Sequence, residues 1–306
     1  MTSALSGFVL IGAIVLAGWA ARRWSGLPDD AQAVLGGLAY TVLSPCLLFT
    51  AAAGADLHLL LSEPLLVSAA AAGICFGSHV LVSWLAPGER TPGATVTGAL
   101  AAGYVNANNI GIPVATYVLG DATLAVPIIV LQVLIITPLV LALLEAATTG
   151  RVSPRAILAA PLRNPLVIAV ALGVLVSAFG LHVPAIVARP VATIGAAAVP
   201  VVLIAFGMSL SGRRVLAARH DRVPTIAAVI LKIVVMPVVA LTLALALGLP
   251  PQIRYAVTVL AALPTAQNVF LFAQRFGAGL TLVRDATFLS TVGCVPVLLL
   301  TALLLG

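Results

Sequence analysis

Gly103-Tyr104-Val105-Asn106-Ala107-Asn108-Asn109-Ile110-Gly111-Ile112-Pro113 decides how this chain folds, because it sets three amides, two glycines and a proline inside a 30-residue stretch, Thr91 to Gly120, that has no charge. A proline lacks an N–H and leaves the carbonyl four residues back, here that of Asn109, without its helical partner. In lipid such a group costs several kcal/mol, so a broken helix survives there only where protein or a watery cavity supplies partners. Asn106 and Asn109, three positions apart, share a helix face, while Asn108 points elsewhere.

A second stretch repeats the device. In Ala261-Ala262-Leu263-Pro264-Thr265-Ala266-Gln267-Asn268, Pro264 frees the carbonyl of Leu260, and two amides follow within a turn. Each break is expected to create a half-helix N-terminus near mid-membrane, with the proline in its first turn. Unpaired N–H groups and the helix dipole there favour an anion such as a carboxylate. The bland alternative is a pair of kinked helices whose amides only hydrogen-bond their neighbours.

The rest of the chain places both stretches in a bilayer. Of 306 residues, 62% are hydrophobic and 8% charged, with a mean hydropathy of +1.20. Soluble domains are about 45–50% apolar and about 25% charged, so the solvent is lipid. A hydrocarbon core about 30 Å thick needs about 20 residues of helix. Nine uncharged windows are long enough: Met1 to Ala21, Ala31 to Ala55, Pro64 to Gly88, Thr91 to Gly120, Ala122 to Leu144, Asn164 to Ala188, Pro190 to Gly212, Tyr255 to Gln274 and Ala286 to Gly306. A tenth, Val223 to Ile253, eighth in chain order, is interrupted only by Lys232. Ten transmembrane helices are therefore expected. The windows are apolar all round, unlike the alternating strands of a membrane β-barrel.

The formal net charge of +6 has a topological meaning. Loops after odd-numbered spans hold Arg22, Arg23, Arg90, Arg151, Arg155, Arg163, Arg213, Arg214, Arg219, Arg222, Arg275 and Arg284, against Arg189 and Arg254 on the other side. This positive-inside bias puts both termini outside the cytoplasmic membrane and removes any need for a nucleic-acid partner. The first basic residues follow the first apolar run, the reverse of a cleaved signal peptide. Cys46, Cys75 and Cys294 lie in apolar windows with no metal spacing and are read as small core residues. No loop is long enough to fold alone, and no phosphate-binding G-x-x-x-x-G-K-[ST] loop is present.

Landmarks recur at about half the chain length. Pro45 and Pro200 are 155 apart, Pro113 and Pro264 are 151 apart, and the span-ending Gly120 and Gly277 are 157 apart. Five helices per repeat is an odd number, so the repeats, residues 1–150 and 151–306, must enter the membrane from opposite faces, as in many secondary transporters.

With these motifs in place, the chain resembles the auxin efflux carrier family, which includes plant auxin exporters and bacterial permeases for malonate and related acids. The N-x-x-x-x-G-I-P run from Asn106 to Pro113 is similar to that family's fourth helix. Pro264 to Gly277 and Leu289-Ser290-Thr291 to Pro296 are similar to its ninth and tenth, and Leu43 to Phe49 to its second. The resemblance implies an all-α, sodium/bile-acid symporter-like fold. In that fold helices 1, 2, 6 and 7 form a scaffold, helices 3–5 and 8–10 a transport domain, and the broken helices 4 and 9 cross at their prolines beside the site. The plant members' long loop between helices 5 and 6 is only Glu145 to Arg163 here, which argues for the compact bacterial form.

Lys232 lies ten residues into its span, about 15 Å deep at 1.5 Å per residue, where insertion costs roughly 2.5–3.5 kcal/mol. It is read as functional, either attracting an anion or standing in a cation position and exchanging a proton during the cycle. Asp29, Asp30, Asp56, Glu63, Glu89, Asp121, Glu145, Asp221 and Asp285 fall in loops or at span ends, so the cavity should be neutral to positive. The expected substrate site comprises Asn106, Asn109, Gly111, Pro113, Pro264, Thr265, Gln267 and Asn268, with Lys232 and His79 coupling or compensating charge and Gln132 and Ser44 as secondary cavity residues. No metal or cofactor is expected. A coupling ion, H+ or Na+, is left open, and a homodimer through the scaffold helices is allowed. The expected function is elevator-like secondary transport of a small organic anion, a mono- or dicarboxylate. An anion channel and a transport-inactive sensor or scaffold are the alternatives. An intramembrane enzyme is excluded, since no H-E-x-x-H, buried aspartate pair or serine with a histidine on a later span is present.

Overall fold

A computed structural model describes residues 2–54, 63–85, 91–111, 114–115, 118–120, 122–149, 165–211, 215–216 and 219–305. Pro113, the long polar segment 150–164 and the side chain of Asn109 lie outside them. Helix occupies each apolar window: α1 (Thr2–Trp24), α2 (Ala31–Ala53), α3 (Glu63–Leu85), α4 (Pro92–Gly103), α5 (122–149), α6 (Pro165–Ala178), α7 (Ala185–Leu210), α8 (Arg219–Ala246), α9 (Pro251–Ala261), α10 (Gln267–Phe276) and α11 (Leu280–Leu305). α9 and α10 share the ninth window. Among the described residues, α2, α3, α7, α8 and α11 are continuous helices long and apolar enough to cross a membrane. Large side chains such as Leu66, Leu81, Leu139, Leu172 and Leu303 are exposed along the helices, as a lipid-facing surface requires.

Four helical segments widen into π turns, at Ala39–Leu43, Ala107–Gly111, Gln132–Ile136 and Leu231–Val235. In the sequence a proline stands two residues after each: Pro45, Pro113, Pro138 and Pro237. Proline removes the donor and crowds the carbonyl one turn back, and a widened turn relieves that crowding. Lys232 and Gln132 both sit in such turns.

Packing divides the helices into two groups. α1 lies along α7, and α2 lies along α6 and α7. Glycine sets these approaches: a Cβ at Gly207 would meet the backbone of Val15 and Trp19, at Gly18 that of Ile204, and at Gly195 that of Cys46 and Leu47. In the second group α3 packs on α4, α8 and α9, and the N-terminal part of α8 packs on α4 and α11. Contacts between the groups are sparser and run chiefly through α10 against α2 and α7 and through α6 against α5.

Two charges at a span end are buried. Arg284 and Asp285, the fifth and sixth residues of α11, are 5% and 1% exposed, with Nη2 of Arg284 2.6 Å from Oδ1 of Asp285. Asp285 Oδ2 also accepts the N–H of Leu216 at 2.8 Å, and Arg222 Nε donates to Leu216 O at 2.7 Å. Leu216 has φ +56°, a left-handed conformation held from both sides. The pair is tolerated because each charge is the other's partner; Lys232 has no charged partner among the described residues.

Candidate functional site

α4 ends at Gly103, where a Cβ would collide with the Phe76 ring and the Ala72 carbonyl. The chain then runs extended through Tyr104-Val105-Asn106, and the π turn starts at Ala107. α9 ends at Ala261, and after Leu263-Pro264-Thr265-Ala266 the chain re-enters helix at Gln267. These two extended pieces pair as an isolated antiparallel bridge, Val105 opposite Thr265. The N–H of Asn106 donates to Pro264 O at 2.9 Å and that of Ala266 to Tyr104 O at 3.0 Å. Backbone groups freed by both breaks thus satisfy one another in the protein interior.

Pro264 lies in the crossing, but in its extended part and not in the first turn of α10. Pro113 does not mark the first break: the helix has already opened at Tyr104, and Pro113 follows a π turn. In the first half the crossing therefore lies at Val105, not at the proline. Gly120 and Gly277 are both left-handed, with φ +79° and +62°.

Side chains tie the crossing together. Asn106 Nδ2 donates to Gln267 Oε1 at 2.6 Å, joining the two halves. The Thr265 hydroxyl donates to Ala101 O at 2.6 Å, near the end of α4, and Thr265 N–H donates to Ser290 Oγ at 3.1 Å. Gln132 reaches in from α5, with Nε2 2.9 Å from Val105 O. Asn106, Thr265 and Gln267 are buried, whereas Asn268, next on α10, is partly exposed. It faces a cleft lined by Ser44 and Leu47 of α2 and Ala198, Val199 and Val202 of α7. Ser44 and Asn268 thus meet where the two helix groups touch. Gly111 is buried one turn beyond the crossing, its Cα beside Leu263.

His79 is elsewhere. Its Nε2 lies 3.1 Å from Pro224 O and its Nδ1 3.4 Å from Ser83 Oγ, against Gly98. It ties α3 to the start of α8. Tyr104 and Ser290 did not stand out in the sequence. The Tyr104 hydroxyl is 3.0 Å from Thr137 Oγ1. An aromatic in an apolar run reads as core, and only a partner 33 positions on shows otherwise.

Lys232 is fully buried. Its Nζ donates to Ala261 O, the last residue of α9, at 2.8 Å and lies 3.2 Å from Met236 Sδ. A second cleft, lined by Ser68, Ala72, Val105, Gln132, Met236 and Ala261, borders the crossing.

A family model described as membrane transport protein matches residues 6–302. The chain belongs to the auxin efflux carrier family. The family comprises membrane transporters and not enzymes, so this carrier is a multi-pass membrane protein whose buried polar crossing lies in a transport fold. A comparison with curated proteins gives no match.

Proposed function

We propose that this carrier is a secondary active transporter that moves a small organic anion, a mono- or dicarboxylate, across the cytoplasmic membrane. Ten spans in two inverted repeats, residues 1–150 and 151–306, with both termini outside, accommodate the helices and the arginine distribution. α1, α2, α6 and α7 act as the scaffold, and the remaining helices move past it carrying the crossing. The observation that carries this reading is the cleft between the groups, where the N-terminus of α10 presents Asn268 toward Ser44 and apolar walls. The first N–H groups of a helix have no partner within it and attract a carboxylate.

Polar neutral groups at the crossing, with no acid among the described residues beside it, support an anion over a cation. Asn106, Thr265 and Gln267 hold the crossing in shape, and Asn268 and Ser44 reach the substrate; Asn109, Gly111 and Pro113 follow on the same segment. The test is uptake of radiolabelled acetate, malonate and succinate by proteoliposomes holding the purified protein. Saturable uptake of at least one acid is expected. Asn268→Ala should lower it about tenfold, the size of one lost charge-assisted hydrogen bond, and Asn106→Ala should lower it by loosening the crossing that holds α10 in place. Saturable uptake unaltered in both variants would put the site elsewhere.

A further inference from the structure

The bridge makes the two breaks comparable position by position. Val105 opposes Thr265, and the two flanking hydrogen bonds exchange Tyr104 with Pro264 and Asn106 with Ala266. A local two-fold through the bridge therefore relates residues 160 positions apart. Under it Ala101, in the last turn of α4, corresponds to Ala261, the last residue of α9. Both carbonyls belong to helix ends that carry partial negative charge deep in the protein.

The two ends are satisfied differently. Ala101 O receives the neutral hydroxyl of Thr265 at 2.6 Å, and Ala261 O receives the ammonium of Lys232 at 2.8 Å. The residue 160 positions before Lys232 is Ala72, whose side chain is a methyl group. The crossing is thus two-fold in backbone and asymmetric by one formal charge. No described carboxylate pairs with that charge: Met236 Sδ is its other contact, and the thiols of Cys75 and Cys294 are the titratable groups facing it from α3 and α11.

In broken-helix transporters a half-helix C-terminal end and its unwound carbonyls are where a dissolved Na+ or proton is held. Here the end of α9 is already occupied. We propose that Lys232 is a tethered counter-cation: its ammonium fills the cation position at the end of α9, so that anion movement needs no sodium. The inference rests on the transporter reading for its consequence, but its physical core, a helix end that demands a cation, is separable.

Two measurements address it. Thermal melting of the purified carrier needs no substrate. Wild type should melt at the same temperature in sodium and choline chloride, whereas Lys232→Ser, which opens the position, should be stabilised in sodium by about 3 °C or more as the bare end recruits the ion. Identical melting of Lys232→Ser in both salts would overturn the proposal, as would sodium stabilisation of wild type. Proteoliposome uptake of radiolabelled malonate, acetate and succinate gives the functional arm. Wild-type uptake should agree within about twofold in sodium, potassium and choline media, and Lys232→Met should fall about tenfold in choline per unit of folded protein. Sodium stimulation of wild type, or full uptake by Lys232→Met in choline, refutes the tethered role. Absence of wild-type uptake in every medium sinks the transporter reading, while the melting arm still decides the lysine.

Discussion

At the scale of single residues, the hydrogen bond from Asn106 to Gln267 joins two positions 161 apart in sequence and almost fully removed from solvent. Losing one partner of a buried pair leaves the other desolvated, a cost of about 1–3 kcal/mol. Asn106→Leu and Gln267→Leu should therefore each lower the melting temperature, and the double variant should lose less than the two combined. Strict additivity across the four proteins would show that the bond contributes nothing. The Arg284–Asp285 pair makes a stronger case. Asp285→Ala strands a buried guanidinium and releases Leu216 N–H, so about 3–5 kcal/mol should be lost. Fluorescence-detected size-exclusion would register this as a smaller monodisperse peak, with Asp221→Ala, half-exposed and outside the pair, as control.

Among elements, α1 and α7 approach so closely at Gly18 and Gly207 that any side chain there meets backbone. Overpacking costs about 1–3 kcal/mol where neighbours can shift and more where they are main chain. Gly18→Val should reduce folded yield severalfold, whereas Gly37→Val, with open space around it, should not. Helix placement was legible in the sequence because charge scarcity marks each window and lipid leaves the backbone no other regular form. The site was legible as a set of amides, but its geometry was not. Pro113 signalled a π turn and the crossing formed seven to nine residues earlier, at Tyr104 to Asn106, next to Gly103 and the Phe76 ring. Lys232 stood out by depth, yet its acceptor, the Ala261 carbonyl, is a main-chain atom that no residue pattern marks.

For the whole molecule, a carrier and a channel built on this frame respond differently to restraint. Ser44 and Asn268 belong to different helix groups and line one cleft. With Cys46, Cys75 and Cys294 replaced by alanine, bridging Ser44→Cys to Asn268→Cys with a short bifunctional thiol reagent should abolish the reduced uptake that the double variant retains, and cleavage of the reagent should restore it to that level. Flux that persists through the cross-linked protein would instead favour the channel. The pairing of the two extended segments also bears on how the molecule is made. Tyr104 O and Ala101 O take their donors from residues 266 and 265, and Asn106 N–H takes its acceptor from residue 264. A ribosome that has delivered the first five helices has therefore inserted a segment whose main-chain valences are open, and they close only when the ninth window arrives. Neither half is a finished piece; the crossing is a joint assembled late, and quality control in the membrane has until then to act on it.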